Sequence, residues 1–189
     1  MRLTAPRFAP LQDDELTPEQ AAALQPMRGG ALGVLNIFRT LARAPKALER
    51  FNAWGGYVLS RRNDLAARER EIVILRIGFL CKSGYEFTQH TRIGLDSGLT
   101  AEDISRIKRG ADAGWNAADA ALIRAADELH ADQFITEATW TELGRHLTDK
   151  QRMDIVFTCG QYTQVSMILN TFGVQLDEGQ TLDPDLKGF

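Results

Sequence analysis

Four helix-start signals recur along the chain, and they constrain its fold more than any other feature. In each signal, a residue that can cap a helix N-terminus is followed three positions later by an acid or an amide. Apolar residues return every three or four positions between the signals, and neither strand-like alternation nor an Asn-Gly or Asp-Gly hairpin turn occurs. The sequence therefore predicts an all-α fold. The signals are Thr17-Pro18-Glu19-Gln20, Thr100-Ala101-Glu102-Asp103, Asn116-Ala117-Ala118-Asp119 and Thr148-Asp149-Lys150-Gln151.

The same patterns place eight helices along the chain. Gly98 and Gly110 mark helix ends, because glycine readily takes the left-handed conformation that follows a last helical turn. The Gly29-Gly30 pair predicts a loop. The predicted helices cover about residues 18–25, 44–61, 66–79, 84–97, 101–109, 117–131, 137–146 and 149–171.

Composition limits the class of protein. The 189 residues are 44% hydrophobic and 25% charged, which is typical of an ordinary globular chain. A net charge of −3 with dispersed Lys and Arg gives no basic surface for nucleic acid. The first residues lack the apolar region of a signal peptide, and no apolar run is long enough for a membrane span. We therefore expect a cytoplasmic protein with no nucleic-acid or membrane partner.

The predicted organisation is one helical domain with two flanking segments. We expect an N-terminal arm at residues 1–30, the helical domain at residues 31–176 and an irregular C-terminal tail at residues 177–189. The two cysteines, Cys81 and Cys159, are far apart and match neither a zinc-ligand spacing nor a disulfide framework. We interpret both as free, apolar filling residues.

Residues 71–90 gather several kinds of reactive side chain: two acids, the Ser83 hydroxyl, a phenol, a thiol and an imidazole. On a helix that turns by about 100° per residue, Ser83, Glu86 and His90 lie within roughly 60° of one another. Their side chains therefore share one face, while Cys81 falls on the far side. This face is the candidate site.

The segment resembles the carboxymuconolactone decarboxylase family, which includes the alkylhydroperoxidase D-like proteins. Redox members carry Cys-x-x-Cys-x-x-x-His, with a Glu twelve residues before the first Cys. In this frame His90 takes the histidine position, Glu86 and Ser83 take the two cysteine positions, and Glu71 takes that of the upstream acid. The similarity extends over residues 36–45, 65–71, 160–162 and 170–174.

This resemblance implies an alkylhydroperoxidase D-like helical domain that acts on a small molecule without a cofactor. It also implies a homo-oligomer, trimeric or hexameric, with sites near the subunit contacts. The implied site residues are His90, Glu86, Glu71, Ser83 and Tyr85. Both thiols of the redox motif are missing.

Structural interpretations compete with the catalytic ones. Ser83 and Glu86 form the pattern of a capping box, and we predict that role for Ser83. Glu86 serves either the helix dipole or acid/base chemistry one turn from His90. Glu71 belongs to a charge run that is typical of a solvated face, and only the family spacing makes it a site candidate. Tyr85 is predicted to be half-buried, with its hydroxyl available to a pocket.

His90 is the main catalytic candidate, because Glu86 on the same face can orient or charge it. The other histidines, His130 and His146, lie near predicted helix C-termini, where a structural role explains them. A metal site formed by Glu71, Glu86 and His90 is disfavoured. The helical di-iron pattern pairs Glu and His at i,i+3, whereas here the spacing is i,i+4.

The sequence leaves three functions open. The first is a lyase that resembles the decarboxylase branch and performs acid/base chemistry on a lactone or carbonyl compound. The second is a thiol peroxidase with peroxiredoxin activity, which is disfavoured because Ser83 and Glu86 cannot supply the two thiols that it needs; only a displaced Cys81 could rescue this hypothesis. The third is a binding protein without turnover.

Overall fold

The computed structural model describes residues 1–29 and 33–189, and this part of the chain contains nine α-helices, three short 3₁₀ turns and no strand. The all-α prediction is confirmed. The predicted boundary at residues 30–31, and Gly30 of the predicted loop, lie outside the described residues. The helices are α1 Pro18–Leu24, α2 Asn36–Leu41, α3 Pro45–Val58, α4 Ala67–Leu80, α5 Gly84–Asp96, α6 Ala101–Arg109, α7 Ala117–Asp132, α8 Glu137–Gly144 and α9 Asp149–Phe172.

The four helix-start signals form caps as predicted. The side chains of Thr17, Thr100, Asn116 and Thr148 each accept a hydrogen bond from the amide three residues later. Each cap satisfies an amide that has no partner inside its own helix. Consequently α1, α6, α7 and α9 begin where the sequence predicts.

Helix α4 is the centre of the fold. It packs against α5, α6, α7 and α9, and every residue from Glu71 to Gly78 is buried. Arg76 in this helix is also buried, and it bonds to Asp127 on α7 at 2.5 Å and to the carbonyl of Ile107 on α6 at 2.8 Å. Helix α9, the longest, covers another side of α4 with Ile155, Cys159 and Leu169 facing inward.

The flanking segments pack against the helical domain. Leu11, Ala23 and Leu24 form a second small core with Leu48 of α3. The C-terminal segment is mostly irregular, and its Leu186 is 1% exposed and belongs to the main core. None of the described helices combines the length and apolar character needed to cross a membrane.

Candidate active site

Three side chains from α4 and α5 meet at His90. Its Nδ1 lies 2.6 Å from Glu71 Oε2, and its Nε2 lies 3.0 Å from Glu86 Oε1. The imidazole is therefore held between two carboxylates, one from each helix. We call this arrangement the Glu–His–Glu cluster, formed by Glu71, His90 and Glu86.

Close helix packing makes this cluster possible. A Cβ on Gly78 of α4 would lie 3.5 Å from Glu86 Cγ, and a Cβ on Gly94 of α5 would lie 3.2 Å from Leu75 Cδ1 and 3.7 Å from Glu71 Cβ. Longer side chains at Gly78 and Gly94 would force α4 and α5 apart. The glycines thus keep the carboxylates within hydrogen-bonding distance of the ring.

The cluster is buried, which changes its electrostatics. The side chains of Glu71, His90 and Glu86 are 0%, 8% and 5% exposed. Burial alone lowers the pKa of His90, but the charges of Glu86 and Glu71 outweigh it and raise this pKa from 6.5 to about 10. The raised pKa favours the imidazolium, the form of His90 that can donate from both ring nitrogens to the two carboxylates.

Only part of the cluster faces open space. His90 and Glu86 line a cavity of about 340 Å³, whereas Glu71 lies behind the imidazole and its Oε1 has no hydrogen-bond partner among the described residues. Most of the cavity wall is apolar and aromatic. We call it the His90 cavity; it is lined by Leu35, Ile37, Phe38, Phe51, Asn52, Gly55, Gly56, Leu59, Tyr85, Glu86, Gln89, His90, Arg92, Ile93, Gln161, Tyr162 and Val165.

The capping box predicted at Ser83 is wrong. Ser83 is the residue before α5, but its side chain makes no capping hydrogen bond, is fully buried and has no partner among the described residues. Glu86 contacts His90 instead of reaching back to the Ser83 amide. The physical reason is that a buried imidazolium attracts the carboxylate more strongly than a neutral amide does.

Tyr85 lines the cavity but differs from the prediction in two respects. It is 2% exposed rather than half-buried, and its hydroxyl donates to Asp177 Oδ2 at 2.6 Å. Burial and the Asp177 carboxylate raise the pKa of this phenol. The hydroxyl therefore holds the C-terminal segment against α5 and is not free for a ligand.

Two residues of α9 belong to the cavity; both lie in the segment 160–162 that shares the family resemblance, but neither is among the site residues predicted from the sequence. Tyr162 packs edge-on against His90, with ring centroids 4.9 Å apart at 83°. Burial, followed by the charges of Glu86 and Glu71, raises the pKa of Tyr162, so it remains a phenol that can donate a hydrogen bond. Gln161 is 4% exposed, and its Oε1 lacks a partner among the described residues.

Both cysteines are free. Cys159 is buried within α9, and Cys81 lies partly buried just after α4. Burial raises the pKa of each thiol, and neither thiol lines the His90 cavity.

The chemistry of the cluster suits protons better than a metal ion. In its imidazolium form His90 donates to a carboxylate from each ring nitrogen and has no lone pair to offer a cation. What the arrangement provides is a carboxylate at the cavity wall, supported by a charged imidazole and a second carboxylate.

The central part of the chain matches a known family. Residues 45–128 match the carboxymuconolactone decarboxylase family, and this range includes Glu71, Ser83, Glu86 and His90. No curated protein matches the chain.

Solved structures share the fold over nearly the whole chain at low sequence identity. A peroxidase-related protein from Silicibacter sp. TM1040 is 16% identical with a TM-score of 0.73, covering 99% of this chain and 94% of its own. The AhpD-core protein from Ralstonia eutropha JMP134 is 18% identical, with a TM-score of 0.70 and coverages of 92% and 93%. A single-residue variant of the debrominase Bmp8, in complex with 2,3,4-tribromopyrrole, is 12% identical, with a TM-score of 0.72 and coverages of 93% and 94%.

The family match and the shared helical fold agree with the spacing of Glu71, Ser83, Glu86 and His90. The chain therefore contains a segment, residues 45–128, that matches the carboxymuconolactone decarboxylase family, and it shares the helical fold of AhpD-like proteins.

Proposed function

We propose that the protein is a cofactor-free enzyme that transfers protons on a small, largely apolar carbonyl or lactone compound. The position of His90 supports this proposal most strongly. Each of its two ring nitrogens contacts a carboxylate, and the imidazole lines a mainly apolar cavity. Buried carboxylate–imidazole clusters in clefts are typical of acid/base sites.

Glu86 is the group that exchanges a proton with the substrate, because it is the one carboxylate of the cluster that lines the cavity. It takes a proton from the carbon next to a carbonyl, and the electron pair moves onto the carbonyl oxygen. Tyr162 and the amide of Gln161 line the same cavity and are the donors for that oxygen. Return of the proton to carbon completes the reaction.

His90 and Glu71 support Glu86. The imidazolium donates to both carboxylates, so it orients Glu86 and balances part of the charge at the cavity wall. Glu71 does not line the cavity, and its role is to position His90. Tyr85 is a positioning residue in this scheme, because its hydroxyl is bonded to Asp177, whereas the buried Ser83 hydroxyl has no partner among the described residues and takes part in no step.

Decarboxylation of a lactone acid uses the same groups. The carbon–carboxylate bond breaks, CO₂ leaves, and the electron pair is delocalised onto the lactone oxygen, where Tyr162 and Gln161 donate. Glu86 in its protonated form then delivers a proton to carbon. We propose this decarboxylation as the specific reaction of the enzyme.

Two further points support a small-molecule site and disfavour thiol chemistry in it. The debrominase Bmp8, which shares the fold, is complexed with a small heteroaromatic compound. A thiol peroxidase would need thiols where this chain has Ser83 and Glu86. We also propose a homo-oligomer, trimeric or hexameric, to be measured by light scattering during size-exclusion chromatography.

Proton exchange at carbon tests the proposal without knowledge of the natural substrate. A panel of small lactones, keto acids and diketones is incubated in D₂O with the enzyme, and deuterium incorporation is followed by NMR. We expect catalysed exchange with at least one compound, lost in Glu86→Gln and kept in Glu142→Gln, whose glutamate contacts His146 on the surface. Binding without exchange would identify a non-catalytic binding protein, and exchange that survives Glu86→Gln would refute the assigned base.

A further inference from the structure

A second cavity lies at the C-terminal end of α4 and shares no lining residue with the His90 cavity. Its volume is about 690 Å³. We call it the Cys81 cavity. Six of its lining residues are Arg2, Arg7, Cys81, Lys82, His130 and Asn170.

The Cys81 cavity is positively charged. Arg2, Arg7 and Lys82 line it, and none of the three forms an ion pair with a described residue. No carboxylate is among the described residues that line this cavity. Such a concentration of one sign of charge attracts small anions.

A thiol and an imidazole meet inside this cavity. Cys81 Sγ lies 3.6 Å from His130 Nδ1, within the range of a sulfur hydrogen bond. The backbone at this point is fixed, because Asn170 Nδ2 donates to the Cys81 carbonyl at 2.9 Å. The next residue, Lys82, has a left-handed backbone with φ of 55°, an uncommon conformation for a lysine.

Some features around the Cys81 thiol oppose its ionisation, and others favour it. Burial raises the pKa of Cys81, while the Ser166 hydroxyl and the charge of Arg2 act to lower it. Ser166 is fully buried, and its hydroxyl has no hydrogen-bond partner among the described residues, so it is free to turn toward a thiolate. Since the resting thiol is protonated, it needs a base, and His130 is in contact with it.

We propose that the Cys81 cavity binds small anionic disulfides and that Cys81 exchanges with them to form a mixed disulfide. His130 takes the thiol proton, Cys81 Sγ attacks one sulfur of the bound disulfide, and the S–S bond of the reagent breaks. The departing thiolate takes the proton from His130. One disulfide is consumed and one is formed, so no further oxidant or reductant is needed.

Disulfide exchange suits this site better than peroxide reduction, because exchange needs only one protein thiol. A peroxidase cycle needs a second thiol to resolve the oxidised cysteine, and Cys159 is buried within α9. The cavity is also separate from the Glu–His–Glu cluster. The exchange is therefore independent of the proton-transfer chemistry proposed for that cluster.

The test compares two chromogenic disulfides of opposite character, dianionic dithiobis(nitrobenzoate) and neutral dithiodipyridine, on the folded full-length protein. We expect rapid labelling of one thiol, mapped to Cys81 by peptide mass spectrometry and lost in Cys81→Ser. The double variant Arg2→Gln/Arg7→Gln should lower the rate with the dianionic reagent by about tenfold at low salt, as expected for electrostatic attraction. Its rate with the neutral reagent should not change.

Two matched variants complete the experiment. Arg50→Gln changes an exposed arginine on α3, far along the chain from the cavity, and should leave both rates unchanged. His130→Gln should slow both reagents equally, because the base acts regardless of their charge. The proposal is overturned if Cys81→Ser does not slow labelling, or if loss of Arg2 and Arg7 affects both reagents alike.

Discussion

Two Glu–His pairs in this protein share the same spacing and nearly the same geometry, yet they differ in environment. Glu86 and His90 are four residues apart with Oε1 and Nε2 3.0 Å apart, and Glu142 and His146 repeat both the spacing and the distance. His90 is 8% exposed, whereas His146 is 33% exposed. The surface pair has no second carboxylate on its imidazole among the described residues, while His90 also contacts Glu71.

The difference shows that the four-residue spacing of Glu and His does not by itself create an acid/base site. At the surface, the hydrogen bond from His146 and the charge of Arg145 lower the pKa of Glu142, which is an ordinary effect in a solvated ion pair. In the core, two carboxylates around one imidazole raise the pKa of His90 to about 10. A third residue from another helix and the exclusion of water give the buried pair its distinct chemistry.

The largest expected effect is on stability. Glu71→Ala should lower the free energy of unfolding by about 3–5 kcal/mol, because it removes one partner of a buried ion pair. Urea denaturation measures this change. Glu142→Ala, which removes the partner of the exposed histidine, should cause no comparable loss. Equal losses would mean that burial does not distinguish the two pairs.

The next effect is on activity. With a compound that the enzyme turns over, His90→Ala should lower kcat by about 10²-fold, as expected when acid/base help is lost. His146→Ala should leave kcat unchanged. Circular dichroism of both variants establishes that the fold is intact, and a normal kcat in folded His90→Ala would remove His90 from the mechanism.

A smaller effect concerns pH. Because the pKa of His90 is raised from 6.5 to about 10 on folding, its contribution to stability is complete below pH 6.5 and is lost as pH rises toward 10. The difference in Tm between wild type and His90→Gln should shrink over this interval. The corresponding difference for His146→Gln should stay small throughout. A difference for His90→Gln that grows with pH would contradict the sign.

The smallest effect is expected for the Cys81 thiol, which belongs to neither Glu–His pair. Cys81 does not line the His90 cavity, so Cys81→Ser should leave kcat for proton exchange unchanged. The same assay as for His90→Ala provides the measurement. An inactive Cys81→Ser together with a nearly normal His90→Ala would move the main activity to thiol chemistry.

Most of the helices could be predicted because their signals are local. The caps at Thr17, Thr100 and Thr148 and the apolar periodicity fix the starts and faces of the helices they begin. The short helix α2 was missed because its support is distant: Leu35 provides no side-chain cap, and the Asn36 amide donates to Asp177 near the other end of the chain. A tertiary contact of this kind leaves no periodic signal in six residues.

The candidate site was partly predictable for a similar reason. Glu71, Glu86 and His90 follow a fixed spacing on two consecutive helices, so the motif within residues 71–90 is enough to locate them. Tyr162 and Gln161 enter the cavity only because α9 packs beside α4 and α5. The capping box predicted at Ser83 is wrong for the same reason. Glu86 contacts the buried His90 ring, and a capping rule based on neighbouring residues does not take that contact into account.

Asp177 ties residues that line the His90 cavity to the C-terminal segment. This one carboxylate accepts hydrogen bonds from Tyr85, from Gln89 and from the first amide of α2, at 2.6, 2.7 and 2.8 Å. Residues of α2 and α5 that line the cavity are thereby clamped to the C-terminal segment at a single point. Because the three contacts share one anchor, loss of the Asp177 carboxylate would release α2 and α5 from the C-terminal segment together.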